Sequence, residues 1–443
     1  MKVLIISFLF APMNHIGSIR ITKFAKYLPD FGWEPVVLTV DAVRGISQTL
    51  PSEVVGVNIV RTPYFDLVPT VNQMLTRGKA APFKRAPEPS YSSLRLLIYR
   101  LLRLMKPIYN LPIFRPLTIE PIGWYPYAVR KGLQIAAEQN IDIIFSTYGP
   151  SIPHLVASCL YRKTGIPWVA EFRDLWSSNP YVKDYQPFQF IEQQLEKRTL
   201  KACDLLISVS EPWAQQVGTL HNKRAITIPN GFDEDDYLET VPLTPKFTIT
   251  YTGQIYPGKR EPTSFLQAIG ELRHEAKISP HDLEVRFFGN NVSETINPLI
   301  KKLDLNELVK VYGFVPFSES VKKQKESSAL LLLGWNDERD KGALTGKIFE
   351  YLGAGRPILS SGVKGGEIDK LLKASSSGIL TNEVEDIKDI ILKWVGEFKQ
   401  YQEIRSYYNP NQEIISYYTR REATAKLARA FDTVIAGRKR NQR

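Results

Sequence analysis

The stretch from Lys341 to Ile358 carries the residues best suited to chemistry, because a glycine-rich loop there precedes a helical pattern. The free N–H groups and the dipole of such a helix favour an anion at its N-terminus, here at Gly346. Lys347 stands in the first turn, where its ammonium can contact a phosphate. Glu350 follows on the same helix face and can accept hydrogen bonds from a ribose diol. These residues predict a nucleotide site; a solvated surface Lys–Glu pair is the alternative.

A second basic glycine loop lies upstream, directly after the apolar run Phe247–Tyr251. Glycine lets the backbone approach a ligand closely, and Gly253 and Gln254 follow the run at once. Lys259 and Arg260 then add positive charge just before a helical pattern. The loop predicts a phosphate contact, and an ordinary turn is the alternative.

Two charged residues in the first half stand where α/β enzymes place working groups. Arg173 and Asp174 follow the apolar run Pro167–Glu171 almost directly. We predict them as the catalytic candidates. The alternative is a buried Arg–Asp pair that only orders the loop.

The loop after the first apolar run offers a candidate acceptor contact. Gly17 and Ser18 are predicted to open a helix beside a cleft, with Arg20 reaching the acceptor. An ordinary strand-to-helix turn with a solvated Arg20 is the alternative.

Several classes of site are disfavoured by the residues present. The chain has two cysteines, five histidines and no HExxH pattern, so neither a disulfide scaffold nor a zinc site is expected. Gly17 is the only glycine in the first loop, so the dinucleotide fingerprint is absent and NAD is disfavoured. The four acids Asp233–Asp236 predict a solvated acidic loop rather than a metal site. A zinc centre, a metal ion on the acidic loop and a dinucleotide cofactor are therefore not expected.

The order of the elements predicts how these loops are positioned. The 443 residues are 43% hydrophobic and 23% charged, as in a soluble protein of two or three domains. Short runs that are apolar on both faces alternate with helical patterns, which is typical of buried parallel strands. In the first half the runs are Val3–Phe8, Pro35–Val40, Ile141–Ser146, Pro167–Glu171, Leu205–Val209 and Ala225–Ile228; in the second they are Phe247–Tyr251, Leu283–Phe288, Val309–Phe314, Ala329–Leu333 and Pro357–Leu359. The fold class is therefore α/β, with two Rossmann-like doubly wound domains that bind ligands beyond their strand ends.

We place the boundary between the two domains in Tyr237–Lys246, which has two prolines and no helical period. The predicted organisation is a first Rossmann-like domain at 1–240, a second at 241–415 and a C-terminal helix at 416–443. A capping-box pattern at Thr419–Glu422 opens that helix, which is expected to run to about Ala436. The basic tail from Arg438 is expected to fray.

Taken together, these segments resemble the family 4 glycosyltransferases of the GT-B fold, whose two domains face each other across a cleft. The resemblance is carried by Pro12…Gly17…Arg20, by the run Glu-Phe-Arg-Asp-Leu-Trp, by Pro-Asn-Gly-Phe-Asp and above all by Lys-Ile-Phe-Glu-Tyr-Leu-Gly-Ala-Gly-Arg-Pro. It implies that the second domain (241–415) binds a nucleotide-diphospho-sugar donor and that the first domain (1–240) binds the acceptor. Retention of anomeric configuration and no metal ion are implied as well. It also implies that Glu350 is the second glutamate of the Glu-x7-Glu motif and that Lys259 is the lysine of the Arg-x4-Lys pair.

Three positions depart from the family pattern. The first glutamate of Glu-x7-Glu falls at Gly342, and the arginine of Arg-x4-Lys falls at Gln254. Lys347 or Arg260 would have to supply the lost charge. Arg173 stands where many relatives carry histidine.

A basic segment at residues 74–106 predicts contact with an anionic membrane surface. It holds eight Lys or Arg and one acid, and residues 94–106 show a helical amphipathic pattern. The alternative is a core helix with a solvated basic face. Nucleic acid is not expected as a partner, and neither is a membrane-spanning helix. The predicted location is the cytoplasm, at the inner face of the plasma membrane.

The sequence thus predicts a retaining hexosyl- or related glycosyltransferase acting on a lipid-linked or polysaccharide acceptor in cell-surface glycan synthesis. Two alternatives stay open. One is a sugar-nucleotide epimerase of similar two-domain shape, and the other is a non-catalytic subunit that binds a nucleotide sugar or a glycan.

Overall fold

The computed structural model describes residues 1–43, 46–51, 53–65, 121–181 and 186–441. They form two parallel β-sheets of seven and six strands with helices between the strands. The predicted α/β class, with two doubly wound sheets, is confirmed.

The first sheet has the strand order β3-β2-β1-β4-β5-β6-β7, and all its described pairings are parallel. Its strands are β1 (Lys2–Ile6), β2 (Glu34–Val40), β3 (Asn58–Thr62), β4 (Ile143–Thr147), β5 (Trp168–Phe172), β6 (Leu205–Ser208) and β7 (Ala225–Thr227). The order reverses between β1 and β4, which is where such sheets open a crevice for ligands.

The second sheet repeats this arrangement with the order β10-β9-β8-β11-β12-β13. Its strands are β8 (Phe247–Thr252), β9 (Leu283–Phe288), β10 (Val309–Gly313), β11 (Ala329–Leu332), β12 (Ile358–Ser360) and β13 (Gly378–Leu380). Here the crevice lies between β8 and β11.

Alternation along the central strands explains why both faces of each sheet are covered. Val3 and Ile5 of β1 pack into one apolar cluster, while Leu4 and Ile6 pack into another. Successive side chains of a strand point to opposite faces, so a strand that is apolar throughout needs a helical layer on each side.

The helices that supply these layers follow the strands in chain order. They are α1 (Ile16–Tyr27), α2 (Tyr125–Glu138), α3 (Ile152–Thr164), α4 (Gln186–Leu200), α5 (Glu211–His221), α6 (Thr263–His274), α7 (Val292–Lys302), α8 (Phe317–Lys325), α9 (Gly346–Ala354), α10 (Glu367–Ser375), α11 (Val384–Tyr401), α12 (Gln412–Ser416) and α13 (Arg420–Asn441).

The last helix, α13, packs on the first sheet although it follows the second. Leu427 and Phe431 are fully buried in the cluster that covers one face of β1. The predicted capping contact forms, since the Glu422 N–H donates to Thr419 Oγ1 at 3.2 Å. The prediction that the chain frays from Arg438 is wrong, because this side chain pairs with Asp204 at 2.9 Å and the helix continues to Asn441.

Two strands were not predicted, and both lie at sheet edges. β3 is only partly buried, and β13 has three residues and begins with a glycine, so neither shows a run that is apolar on both faces. The predicted basic segment at 74–106 lies outside the described residues. Within the described part of the chain, no helix is long and apolar enough to cross a membrane.

Candidate active site

Two adjoining cavities lie at the carboxyl ends of both sheets. The larger has a volume of about 330 Å³ and the smaller about 260 Å³. Both are lined by His15, Ile19, Tyr256, Arg260, Phe317, Thr345, Gly346 and Glu350. Because the two cavities share these residues, they form one continuous cleft. Because the residues come from both halves of the chain, the cleft lies between the sheets. Gln254 and Lys347 line only the larger cavity, whereas Arg173 and Arg420 line only the smaller one.

The N-terminus of α9 opens into this cleft. Thr345 occupies the cap position but makes no side-chain cap bond, so its side chain leaves the first-turn N–H groups uncapped. Its buried Oγ1 also has no hydrogen-bond partner within the described residues. A helix N-terminus with uncapped donors favours an anion.

Lys347 and Glu350 form an ion pair on the wall of the larger cavity. Lys347 Nζ lies 2.6 Å from Glu350 Oε2, and the two side chains are 25% and 12% exposed. Gln324 Nε2 donates to the same carboxylate oxygen at 3.3 Å. The alternative of a solvated surface pair is therefore wrong: the pair belongs to the cleft.

The backbone of the loop after β8 offers a ligand fewer contacts than its two glycines predict. The Gly253 N–H donates to the Phe288 carbonyl at 2.8 Å, so this amide serves the sheet edge rather than a ligand. Glycine is required at Gly289, where a Cβ would lie 1.9 Å from the Gly253 carbonyl oxygen. Gln254 does line the larger cavity.

The two adjacent cations of this loop diverge. Lys259 Nζ donates to the Tyr181 carbonyl at 3.1 Å and lies over the rings of Tyr181 and Trp335, outside both cavities. Arg260 lines both cavities, where it bonds to the Tyr181 hydroxyl and lies 3.6 Å from Asp340 Oδ1. Of these two cations, Arg260 is therefore the one that faces the cleft.

Arg173 is held at the end of β5 by backbone carbonyls. Its Nε donates to the Tyr148 carbonyl at 2.7 Å, and Nη2 donates to the Gly149 carbonyl. A Cβ on Gly17 would lie 1.9 Å from Arg173 Nη1, so the glycine makes room for this guanidinium. Asp174 is exposed and lines the same cavity. The alternative of a buried Arg–Asp pair is wrong, because the structure shows no ion pair between the two.

The predicted acceptor contacts at the start of α1 are largely internal. The Ser18 side chain is fully buried. Arg20 pairs with Glu171 at 2.8 Å and donates to the carbonyls of Ile228 and Pro229. Arg20 lines the smaller cavity, but its N–H groups form hydrogen bonds that link β5 to the residues after β7. It is neither solvated nor available to an acceptor.

His15 is a cleft residue that sequence reasoning missed. Its Nδ1 accepts a hydrogen bond from the Gly17 N–H at 3.0 Å, so it caps α1. Desolvation in the cleft wall and the nearby Arg173 guanidinium lower the pKa of His15 to about 4. The imidazole is therefore neutral at pH 7. The cap position was the available signal in the sequence.

Arg420 and Tyr181 were also missed, because tertiary contacts bring them in. Arg420 opens α13 and donates to Asn230 Oδ1 at 3.1 Å. Tyr181 follows the first sheet in sequence but contacts Arg260 and Asp340 of the second half. No local pattern in the sequence marks either position.

The acidic loop at Asp233–Asp236 is solvated as predicted only at Glu234 and Asp235. Asp233 is buried, and Lys23 Nζ lies 2.6 Å from both Asp233 and Glu53 and 3.2 Å from Asp236. Glu53, Asp233 and Asp236 are the one group in the described residues that is close enough to share a metal ion. The Lys23 ammonium already supplies the cation there.

Packing explains the departure at Gly342. A Cβ there would lie 2.8 Å from Trp213 Cδ1, and the Gly342 carbonyl accepts a hydrogen bond from Ser210 Oγ at 2.6 Å. A glutamate at this position would have to displace the tryptophan of α5.

Comparisons with known proteins agree with this geometry. Residues 18–236 match the family model described as Glycosyltransferase Family 4. No curated protein matches the chain in sequence. Solved structures match over nearly its whole length at low identity, which shows the fold alone.

Three of these structures illustrate the match. Sucrose-phosphate synthase from Thermosynechococcus elongatus is 12% identical with a TM-score of 0.64, covering 99% of this chain and 100% of that chain. Anabaena HepE in complex with UDP and glucose is 14% identical with a TM-score of 0.53, covering 99% and 98%. The lipopolysaccharide outer core galactosyltransferase WaaB is 13% identical with a TM-score of 0.52, covering 99% and 100%. Residues 18–236 thus match a family 4 glycosyltransferase model, and the chain as a whole shares the two-sheet GT-B fold of these structures.

Proposed function

We propose that the protein transfers a hexosyl or related sugar from a nucleotide-diphospho-sugar to a glycan or lipid-linked acceptor, with retention and without a metal ion. The observation that carries this proposal is the uncapped N-terminus of α9, where Lys347 and Glu350 face the first sheet across the cleft.

The larger cavity is the proposed donor site. The Glu350 carboxylate accepts hydrogen bonds from the ribose diol, while Lys347, Arg260 and the first-turn amides of α9 face the diphosphate. The Thr345 hydroxyl adds a donor that has no partner among the described residues. The complex of Anabaena HepE with UDP and glucose supports a uridine nucleotide as the first candidate.

Charge development explains how this arrangement assists transfer. The bond between the sugar C1 and the β-phosphate oxygen breaks, and the electron pair leaves with the nucleoside diphosphate. Lys347 and Arg260 stabilise that charge, and preorganised donors of this kind contribute about 10²–10³ in rate each. Because the chain supplies these cations, we propose that no metal ion and no cofactor are needed.

The smaller cavity is the proposed acceptor side. In a retaining transfer the acceptor oxygen bonds to C1 on the face that the diphosphate leaves, next to Glu350 and Gly346, which both cavities share. The hydroxyl proton passes to the departing β-phosphate oxygen. Arg173 and Asp174 line this side and are the proposed catalytic residues. The first glutamate of the family motif is absent at Gly342, so its sugar contact must come from other groups.

We further propose that the acceptor belongs to cell-surface glycan synthesis at the inner membrane face. The likeness to the lipopolysaccharide galactosyltransferase and the basic segment at 74–106 support this. Co-sedimentation with vesicles tests it. We expect recovery with anionic vesicles that falls as salt rises, and equal recovery with neutral vesicles would contradict membrane docking.

The reaction itself is tested with UDP-glucose, UDP-galactose and GDP-mannose in the presence of a chelator, with and without a membrane glycolipid extract. We expect nucleoside diphosphate release that depends on the extract. Conversion of the sugar nucleotide without the extract would indicate an epimerase. Donor binding without any turnover would indicate a non-catalytic subunit.

A further inference from the structure

The smaller cavity contains two guanidinium groups that have no carboxylate partner. Arg173 and Arg420 both line it, and neither forms an ion pair with a described residue. They come from distant parts of the chain, the end of β5 and the start of α13. The fold therefore brings two positive charges that lack a direct ion pair to one concave surface.

Arg420 is the more deeply buried of the two, at 7% exposure. Its backbone N–H donates to the Phe232 carbonyl at 2.7 Å, and its Nη1 donates to the amide oxygen of Asn230. Burial and the neighbouring Arg20 lower the pKa of Arg420 to about 10, so it stays charged at pH 7. Nearby carboxylates act on this guanidinium only at a distance. A buried cation without a direct ion pair is costly, and the positive end of α13 adds to that cost.

The electrostatic surroundings of Arg173 are similarly unfavourable for a positive charge. Its bonds to the Tyr148 and Gly149 carbonyls are to neutral groups, and Gly17 in the first turn of α1 lies against it. The neighbouring His15 is neutral at pH 7 and supplies no negative charge.

The other charged groups of the cavity are already matched. Arg20 pairs with Glu171, and Lys23 pairs with Asp233 and Asp236. The remaining pairs are Arg260 with Asp340 and Glu350 with Lys347. Asp174 is exposed and is the one acid on this surface without an ion pair in the part of the chain that the structure describes. An excess of positive charge remains at the two arginines.

We propose that the acceptor is anionic and that Arg173 and Arg420 bind its oxyanion, either a phosphate or a carboxylate. This inference rests on the proposed function, since it assigns the acceptor to the cavity that adjoins the donor site. Guanidinium groups bind both oxyanions with paired hydrogen bonds. The bound anion supplies the missing counter-charge, and a neutral acceptor leaves both cations unmatched.

The test uses calorimetric titration of protein saturated with UDP, so that the donor phosphate site is filled. The three probes are inorganic phosphate for the phosphate arm, glucuronate for the carboxylate arm and glucose as the neutral control. We expect at least one anionic probe to bind about tenfold or more tightly than glucose. Arg173→Gln and Arg420→Gln should each weaken that binding about tenfold or more. Arg339→Gln removes an equal charge from an exposed, paired side chain and should change nothing.

The outcomes distinguish a loss of anion binding from a loss of binding at the donor site. Unchanged UDP affinity in both variants shows that they fold, and Arg173→Lys and Arg420→Lys should retain anion binding. Equal binding of glucose and both anions would overturn the inference, as would anion binding that survives both glutamine variants. A parallel loss of UDP affinity in variants with unchanged melting would assign the arginines to the donor and also overturn it. If wild-type protein fails to bind UDP, the proposed function fails, and titration without UDP still decides the anion site.

Discussion

Lys347 shows how a single side chain is placed for chemistry by its position in a helix. It stands in the first turn of α9, so the ammonium, the uncapped amides and the helix dipole all face the larger cavity. Its ammonium lies 2.6 Å from a carboxylate oxygen of Glu350. The sequence predicted that the two side chains share one face of the helix, because spacing along a helix determines it.

Lys347→Ala is expected to lower turnover about 10²–10³-fold, because it removes one preorganised cation from the leaving diphosphate. Initial rates at saturating donor measure the loss. Lys341→Ala provides the matched control, since Lys341 is an exposed lysine just before the same helix and pairs with Glu338. Unchanged turnover in Lys347→Ala would exclude the proposed role.

His154 provides a test of burial through pH. The side chain is fully buried against Trp168 and Phe172, and burial lowers its pKa from 6.5 to about 3. The unfolded chain therefore takes up a proton below pH 6.5 that the folded chain resists. This contribution to stability is complete above pH 6.5 and decreases as pH falls toward 3.

We expect the free energy of unfolding to drop by about 2 kcal/mol between pH 7 and pH 5 on account of this one histidine. Urea denaturation at the two pH values measures the drop, which should be smaller by that amount in His154→Gln. The exposed His281→Gln serves as the control. An equal drop in all three proteins would show that His154 is protonated as readily in the folded state.

At the scale of elements, the sequence predicted correctly those strands that a local pattern of residues determines. The central strands are apolar on both faces, so their position in parallel sheets follows from the residues themselves. The edge strands β3 and β13 lack that pattern and were missed. Contacts between distant elements, such as Tyr181 with Arg260 or α13 with the cleft, depend on the tertiary fold and carry no local signal.

The contact between α5 and the loop before α9 can be tested at Gly342. Gly342→Ala is expected to destabilise the protein by about 1–3 kcal/mol, because its Cβ would overlap Trp213 at 2.8 Å. Denaturant unfolding measures the change. Gly396→Ala in the exposed face of α11 meets no atom within 4 Å and should be neutral or stabilising. If Gly342→Ala left the free energy of unfolding unchanged, α5 would be able to move aside, and packing would not exclude a glutamate at this position.

At the scale of the whole molecule, two sheets of the same topology place their strand ends on opposite sides of one cleft. Direct contacts between the halves, such as Ser210 with Gly342, hold them together beside the site. The cations that we propose for the donor site come from the second half, and Arg173 and Arg420, which we propose for the acceptor side, line the adjoining cavity. The chemistry therefore belongs to the cleft rather than to either half alone.

The measurement that tests most directly whether this cleft binds a nucleotide sugar is thermal unfolding in chelator with UDP, GDP, ADP, CMP and NAD. A nucleotide at about 100 times its Kd should stabilise the folded protein by about 2.7 kcal/mol. We expect a nucleoside diphosphate, with UDP the first candidate, to raise the melting temperature, and Lys347→Ala to reduce that rise. A melting temperature that no nucleoside diphosphate changes would contradict a nucleotide-sugar site in this cleft.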